Sequence, residues 1–600
     1  MEPNFSPKEA YQQNVEKYSG LLNSHKKKRS NLGWLRLFSV IAMGIAAYYG
    51  FVFSLLAGWI IVITGIAIFL VLVSLDIRNN GKIYYYEKLL LINHEELTML
   101  AGHYAHREDG LAFLPHEHDY AADLDLFGPS SIYQYINRCT AEQAKALLAA
   151  SLLAPSSAQV IVQRQQAANE LKQQLHWRQQ LQFTGIANPI TVGTEEKIIS
   201  WLNAVTPYTQ NVWKLISKIY PVITVSSLAA YAAGFIPSAA FTLLVFCYYI
   251  ISLLISRKVS ATYQQLSKIV NEVSTLQQTL QHFESLSCTS HLLATLQNQT
   301  QLNGKASDHI LHLKQILNRF DYRLNVFVFI FLNSFLLWDL RQVLDLNKWK
   351  DRNTNEVEKW FEVIANIEVI NVISTLAYNH PDWIFPEIAD ERFTLNTTNL
   401  GHPLIPATRR VNNSFSTEGT PKVSIVTGSN MAGKSTFLRS VGVNLVLAQI
   451  GAPVCAKSFL FSPVQLCTSM RIADNLAENT STFYAELKKL KSIIDKVNAG
   501  EKVFILLDEI LRGTNSLDKH TGSEALIKQF IRKQAVAIIA THDVELGNLK
   551  NEYGNYIENY HFDVQIEGEE LYFDYKIKSG ICQSLNASLL MKKIGIEIEQ

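Results

Sequence analysis

The chain has 600 residues, 48% of them hydrophobic, and a net charge of +1. Its length exceeds a single hydrophobic core and predicts roughly two to four domains, while its near-neutral charge excludes a nucleic-acid affinity that comes from overall charge alone. The six cysteines form no CxxC pair, which excludes metal and redox motifs of that type and favours reduced thiols in a cytoplasmic setting.

A long uncharged run follows a basic cluster near the N-terminus. After His25–Ser30 and Arg36, the stretch Leu37–Leu75 contains no charged residue and covers about 39 residues, or about 58 Å of helix. Because a bilayer core is about 30 Å thick, this run predicts two membrane crossings. A turn near Tyr48–Gly50 would join them as a hairpin.

A second uncharged run, Ile219–Ser256, covers about 38 residues and contains the turn sequence Gly234–Ser238. Lysines and arginines flank it, so the positive-inside rule predicts that both hairpins start and end in the cytoplasm. The alternative is a pair of buried helical hairpins in a large core, although uncharged runs of this length are rare in soluble folds. A third run, Asn325–Trp338, has only about 14 residues and predicts a buried core helix.

A phosphate-binding loop is predicted near residue 430. Gly428–Ser435 matches G-x-x-x-x-G-K-[ST] between a strand pattern and an apolar helix. Loop amides and the helix N-terminus would hold the phosphates of ATP, Lys434 would reach the β and γ phosphates, and Ser435 would ligate Mg²⁺. The predicted nucleotide-binding residues are Gly428, Ser429, Asn430, Met431, Ala432, Gly433, Lys434, Ser435 and Thr436.

Two further strand ends carry candidate chemistry. Val503–Ile510 predicts a central parallel strand with Asp508 at its carboxyl end, where it would complete the Mg²⁺ shell, and Glu509 next to it would polarise the attacking water. Such a pair is also common on solvated surfaces, but here it follows five apolar residues. His542 ends the next strand pattern; a histidine there is usually a satisfied loop residue, and in this sheet it is the candidate for sensing the γ-phosphate.

These segments resemble the MutS family. The resemblance is carried by "TGSNMAGKST", "LLDEILRGTNSLD" and "LAENTSTFYAEL" and runs from about Trp360 to Ile596, with weaker similarity to the family's helical core domain over Asp123–Pro155. It implies a homodimer with composite ATP sites, in which Ser481 contacts the γ-phosphate bound by the opposite subunit. It also implies an α/β P-loop ATPase domain (ABC/MutS-like) at the C-terminus, after an all-α core and lever domain. The two uncharged runs add two inserted transmembrane helical hairpins to this fold.

The predicted organisation follows from these segments. The domains are an N-terminal cytoplasmic segment 1–33, hairpin 34–76, linker 77–122, helical core 123–215, hairpin 216–256, core and lever helices 257–380, and the ATPase domain 381–600. No Phe-x-Glu mismatch-recognition domain fits before Asp123, because Leu37–Leu75 in that region is apolar. We therefore expect a membrane-anchored variant that lacks this domain.

The leading functional hypothesis is a multi-pass membrane protein with four lipid-contacting helices and a cytoplasmic ATPase that binds duplex or structured DNA. Its DNA contacts would be mostly to the backbone, since the base-reading wedge is missing. The alternative is a membrane-anchored ATPase that remodels or signals to a membrane partner without binding DNA. An ABC-type transporter is disfavoured, because the signature reads S-T-F and such transporters have more spans.

Overall fold

The computed structural model of the protein describes residues 6–205, 207–391, 393–429, 431–471, 482–567 and 570–582. The chain divides into two compact units. One lies within Met1–Arg107 together with Tyr378–His380, and the other lies within Glu108–Ala377 together with Pro381–Gln600.

The first unit is built on a pair of long helices, called hairpin 1, formed by α1 (Pro7–Phe53) and α2 (Leu55–Leu100). The chain turns at Ser54, whose extended backbone (φ −164°, ψ 152°) and side chain cap α2. The turn therefore lies beyond the predicted position near Tyr48–Gly50. Gly50 instead allows the helices to approach closely, because a Cβ there would lie 2.6 Å from Ile61 Cδ1.

Both helices of hairpin 1 continue past the apolar run. The linker predicted over 77–122 is helical as far as Leu100, because polar side chains pair the two helices where the apolar residues end. The pairs are Arg36 with Asp76 at 3.1 Å, His25 with Asn79 at 2.8 Å and Asn14 with Asn93 at 3.2 Å. Hydropathy alone does not indicate this polar half of the helix pair.

The N-terminal part of the second unit is helical. Its helices are α3 (Ile132–Ile136), α4 (Glu142–Leu153), α5 (Ala158–Lys172), α6 (Leu175–Ala187), α7 (Val192–Asn203), α8 (Asn211–Ala232), α9 (Ser238–Leu266), α10 (Val270–Glu284), α11 (His291–Gln299), α12 (Ala306–Phe320), α13 (Val326–Leu336), α14 (Trp338–Asn353) and α15 (Val357–Asn379). Helices α8 and α9 form hairpin 2, with Gly234 at φ +80° in the turn between them.

Among the described residues, five helices are long and apolar enough to cross a membrane: α1, α2, α8, α9 and α15. The apolar window of α15 is 89% buried inside the protein, so α15 is a core helix. The corresponding windows of the other four are 6–17% buried and leave their apolar side chains exposed.

Helix α13 corrects one prediction. Asn325–Trp338 was predicted to be a buried core helix, but Val326 is 65% and Phe327 is 85% exposed. The helix is short enough to fit in a core, yet it packs along hairpin 2 on one side only, so its other side is uncovered. Leu337 then takes a left-handed conformation, and the chain bends by 76° into α14.

The C-terminal part of the second unit is α/β. Its elements are β1 (Glu387–Ile388), β2 (Leu395–Leu400), β3 (Asn413–Thr417), β4 (Lys422–Thr427), α16 (Lys434–Gln449), β5 (Ser458–Phe461), β6 (Gln465–Ser469), α17 (Thr482–Asn498), β7 (Val503–Asp508), α18 (Ser516–Arg532), β8 (Val536–Thr541), α19 (Leu549–Tyr553), β9 (Ile557–Phe562), β10 (Gln565–Glu567), β11 (Glu570–Tyr572) and β12 (Ile577–Ser579).

The main sheet has the strand order β12-β9-β4-β8-β7-β6 within the described residues. All neighbours are parallel except β12, which pairs antiparallel with β9 at the edge. Strands β7 and β8 are buried along their whole length, as expected for uninterrupted apolar runs covered on both faces. A smaller sheet has the order β1-β5-β2-β3.

One acidic residue joins the helical part of the second unit to the α/β part. Asp123, 1% exposed, accepts hydrogen bonds from Thr468 Oγ1 at 2.6 Å and from the backbone N–H groups of Met470 and Arg471 at 3.1 Å. Lys489 Nζ on α17 lies 2.6 Å from the same carboxylate. Asp123 therefore holds the end of β6 and helix α17 together.

Candidate functional site

The loop between β4 and α16 is shaped by glycines. Gly428 has φ +148°, and a Cβ there would lie 2.7 Å from the carbonyl oxygen of Phe562. Gly433 has φ +105° and precedes α16, whose first-turn N–H groups have no partner within the helix. These N–H groups and the helix dipole favour an anion such as a phosphate. Asn430, predicted to line this loop, lies outside the described residues.

Lys434 closes back over the loop. Its Nζ donates to the carbonyl oxygens of Gly428 at 2.7 Å and Ser429 at 2.9 Å, and the residue is 4% exposed. Burial lowers the pKa of Lys434 to about 8, against the attraction of the carboxylates of Glu509 and Asp508. The ammonium group is thus held by carbonyl oxygens that phosphate oxygens can replace.

Sheet register brings the three predicted motifs to one edge. Thr427 at the end of β4 lies beside Thr541 of β8, and Ala540 of β8 lies beside Asp508 of β7. The loop that starts at Gly428 and the residues that follow β7 and β8 therefore leave the sheet at the same carboxyl edge. Ligands bind at this edge in open α/β sheets.

The two acidic residues Asp508 and Glu509 have different surroundings. Asp508 is 6% exposed, and its Oδ1 makes no hydrogen bond within the part of the chain that the structure describes. Glu509 has φ +52°, a backbone conformation that is uncommon for a residue other than glycine, and Arg512 Nε lies 3.2 Å from Glu509 Oε2. An unsatisfied buried carboxylate oxygen is the kind of ligand that Mg²⁺ takes.

His542 links the loop to Glu509. Its Nδ1 lies 2.9 Å from the carbonyl oxygen of Gly428, and its Nε2 contacts a carboxylate oxygen of Glu509. The hydrogen bond to His542 is the largest cause that lowers the pKa of Glu509 to about 2, and Arg512 adds to it. Glu509 is therefore ionised at neutral pH, as a group that accepts a proton from water must be.

Glu486 is a site residue that the sequence analysis missed. It lies on α17, is 3% exposed, and its carboxylate accepts the backbone N–H groups of Leu511 and Arg512, the latter at 3.2 Å. These residues follow Glu509, and Leu511 also has a positive φ, +60°. Glu486 thus fixes the unusual backbone after β7. In the sequence, only its position five residues after Ser481 could have identified Glu486 as a site residue.

The remaining predicted residues are exposed, buried or outside the described part of the chain. Ser435 and Thr436 are exposed in the first turn of α16, and Met431 is 80% exposed. Ala432 is buried in the loop. Ser481, assigned by resemblance to the opposite subunit's phosphate, lies outside the described residues, immediately before α17.

The segment that contains this site is similar to known proteins. Residues 424–593 match the family model "MutS domain V". The C-terminal domain of the chain therefore belongs to the MutS family. It is 32% identical over 271 residues to "DNA mismatch repair protein MutS" of Thermotoga neapolitana, covering 43% of this chain and 32% of that protein.

Two mammalian MutS relatives match the same chain. "MutS protein homolog 4" of Mus musculus is 35% identical over 219 residues, 35% of this chain and 22% of the relative. The Homo sapiens protein of the same name is 34% identical over 225 residues, 36% of this chain and 23% of the relative. In all three comparisons the match spans a third or less of the relative's own length.

Proposed function

We propose that the MutS domain binds and hydrolyses ATP. The observation that carries this proposal is the convergence of the glycine loop, Lys434, Asp508, Glu509 and His542 on one sheet edge. Lys434 would exchange its carbonyl partners for phosphate oxygens. Glu509, ionised and held by His542, would take the proton of the attacking water.

The residues present fit Mg²⁺ as a cofactor. Asp508 Oδ1 and the hydroxyl of Ser429 are buried without a hydrogen bond in the described residues, so polar ligand atoms are available in the loop region. Ser435 and Asp508 would hold the ion. When bound, Mg²⁺ neutralises charge on the phosphate oxygens.

We also propose that two copies form composite sites through this sheet edge. Three large apolar side chains are exposed on the elements that follow this edge. They are Met431 in the loop before α16 (80% exposed), Tyr484 in the first turn of α17 (61%) and Leu517 in the first turn of α18 (73%). A second copy would cover them and bring its Ser481 to the phosphate. Apolar residues around a polar site are typical of an interface that excludes water.

Complementation tests this arrangement. Lys434→Ala and Ser481→Ala should each abolish hydrolysis, yet a mixed dimer of the two variants would keep one intact site. Co-expression should then restore about a quarter of the wild-type rate, because half of randomly paired dimers are mixed and each has one of two sites. Activity no greater than that of either variant alone would contradict a site shared between copies.

We propose that hairpins 1 and 2 cross a membrane as four helices, with the ATPase domain and both termini in the cytoplasm. Their exposed apolar surfaces support this, because soluble proteins rarely expose patches of that size. Arg36 and Asp76 border the apolar run of hairpin 1 and pair at 3.1 Å, so both helices leave the apolar zone at the same level. Resistance of the protein to alkaline extraction from membranes tests this anchoring; release into the supernatant would contradict it.

We propose duplex or structured DNA as the ligand whose binding the ATP cycle controls. The supporting observation is the similarity to proteins named for DNA mismatch repair. Titrating the affinity for matched, mismatched and branched duplexes with salt tests it: binding to phosphates should fall steeply with salt and discriminate mismatches poorly. Absence of binding at low salt would favour the second candidate, an ATPase that acts on a membrane partner, which the exposed hairpins support.

A further inference from the structure

Helix α13 and the residue before its N-cap expose a compact apolar surface, called the α13 tip. It consists of Leu324, Val326, Phe327, Ile330 and Phe331, exposed by 71%, 65%, 85%, 40% and 57% respectively. Exposed aromatic and branched side chains at this density are unusual on a soluble surface and mark a contact with an apolar partner.

The α13 tip is continuous with hairpin 2. The last carbonyls of α13 have no partner within the helix, and side chains of α8 satisfy them: Tyr220 OH donates to Ser334 O at 3.0 Å, and Thr224 Oγ1 donates to Phe335 O at 2.6 Å. Hydroxyls thus take the place that water takes on a soluble helix end. This is the arrangement that hydrocarbon surroundings require of a backbone.

The charged residue nearest the α13 tip is directed inward. Arg323 is 13% exposed, and its Nη2 lies 3.7 Å from Oδ2 of Asp339, which is fully buried. Its guanidinium also lies 6.0 Å from the ring of Phe329. A free arginine on a soluble surface usually extends its head into water. An inward ion pair instead leaves the apolar side chains as the outermost groups, which fits a lipid partner better than a polar protein surface.

The length of α13 limits how deeply it can enter a bilayer. Its 11 residues span about 16 Å, roughly half of a 30 Å hydrocarbon core. Leu337, at φ +46°, then turns the chain by 76° into α14, which carries charged residues along its length. The element can therefore enter a bilayer and return on the same side, but it cannot cross.

We propose that α13 is a re-entrant membrane element whose tip inserts into the hydrocarbon of the bilayer that hairpin 2 crosses. This inference rests on the proposed membrane anchoring by hairpin 2 and extends it. Because α13 is followed directly by α14, lipid contact would be transmitted to the helical part of the second unit through a short, hydrogen-bonded element.

Depth-dependent fluorescence quenching tests the proposal with the full-length protein. In a Cys247→Ser, Cys288→Ser background, the four remaining native cysteines are buried. One added cysteine then replaces Phe327 in the α13 tip, Phe246 on hairpin 2, or Asn498 on the α/β part as an aqueous control. Each carries an environment-sensitive dye, and the protein is reconstituted into phosphatidylcholine vesicles with or without lipids brominated along the acyl chains. Phe331→Cys gives a second reading from the same tip, in case one label perturbs α13.

The expected result is strong quenching by brominated lipids at Phe327, Phe331 and Phe246, and none at Asn498. Quenching at Phe246 alone, with iodide quenching the dye at Phe327, would overturn the re-entrant element and leave the hairpin anchor intact. Protection at Phe327 from both bromine and iodide would identify a protein contact instead and also refute the proposal. Loss of lipid quenching at Phe246 as well would contradict the membrane anchoring on which the inference rests.

Discussion

Replacing Glu486 with glutamine removes one of the two charged hydrogen bonds that hold the backbone after Glu509. The glutamine can accept one N–H group through its oxygen, but its own NH₂ group faces the other donor, so one of the N–H groups of Leu511 and Arg512 loses its partner. A hydrogen bond to a charged group contributes about 1.5–3 kcal/mol. If that energy is what holds Glu509 in position, ATP hydrolysis falls at least about tenfold, since 1.4 kcal/mol is a factor of ten.

Separate measurements of nucleotide affinity and hydrolysis rate distinguish a misplaced Glu509 from a misfolded domain. Nucleotide affinity depends on Lys434 and the loop, so the dissociation constant of a fluorescent ATP analogue should stay within about twofold in Glu486→Gln while the steady-state hydrolysis rate falls. Asp495→Asn, an exposed change on the same helix, is the matched control and should leave both unchanged. Hydrolysis at the wild-type rate in Glu486→Gln, or an equal loss of affinity and rate, would refute the positioning role.

Three further predictions concern the same domain. Because the pKa of Lys434 is lowered to about 8, its positive charge is present below that pH and lost above it. The affinity for ATP, measured by calorimetry, should therefore be about tenfold weaker at pH 9 than at pH 7. The Lys434→Arg variant should show no such pH dependence, because arginine stays charged. Gly428→Ala should abolish nucleotide binding without lowering the melting temperature by more than a few degrees, because the new Cβ would meet Phe562 O at 2.7 Å and displace only the loop; normal binding would contradict this. Asp123→Asn should lower the free energy of unfolding by about 3 kcal/mol in thermal melts, since it breaks the buried charged network around Asp123. Asp125→Asn, at a more exposed carboxylate, should lower it by less than about 1 kcal/mol. Equal effects of the two changes would count against a stabilising role for the Asp123 network.

The nucleotide site was predictable because its signals are local. The apolar run before Asp508, the glycines around Lys434 and the strand before His542 each define an element and its end within a few residues. Parallel strands then bring those ends to one edge whatever the rest of the fold does. The structure accordingly has β4, β7 and β8 where the sequence patterns predicted strands.

Contacts between distant segments were not predictable in the same way. Glu486 binds backbone N–H groups 25 and 26 positions away, and backbone groups carry no sequence signal. The short apolar run of α13 has the composition of a core helix, and only its packing on one side reveals the exposed tip. The polar pairs of hairpin 1, such as His25 with Asn79, depend on helix register across a turn that hydropathy located a few residues too early.

Mg²⁺-dependent ATP hydrolysis by the full-length protein in vesicles tests the proposed site most directly, with wild type compared with Glu509→Gln and with Glu501→Gln as an exposed control. We expect hydrolysis by wild type and by the control. Glu509→Gln should retain ATP binding but lose turnover, because the amide cannot take the proton from water. Hydrolysis by Glu509→Gln at the wild-type rate, or none by wild type under conditions where it binds ATP, would contradict the proposed ATPase site.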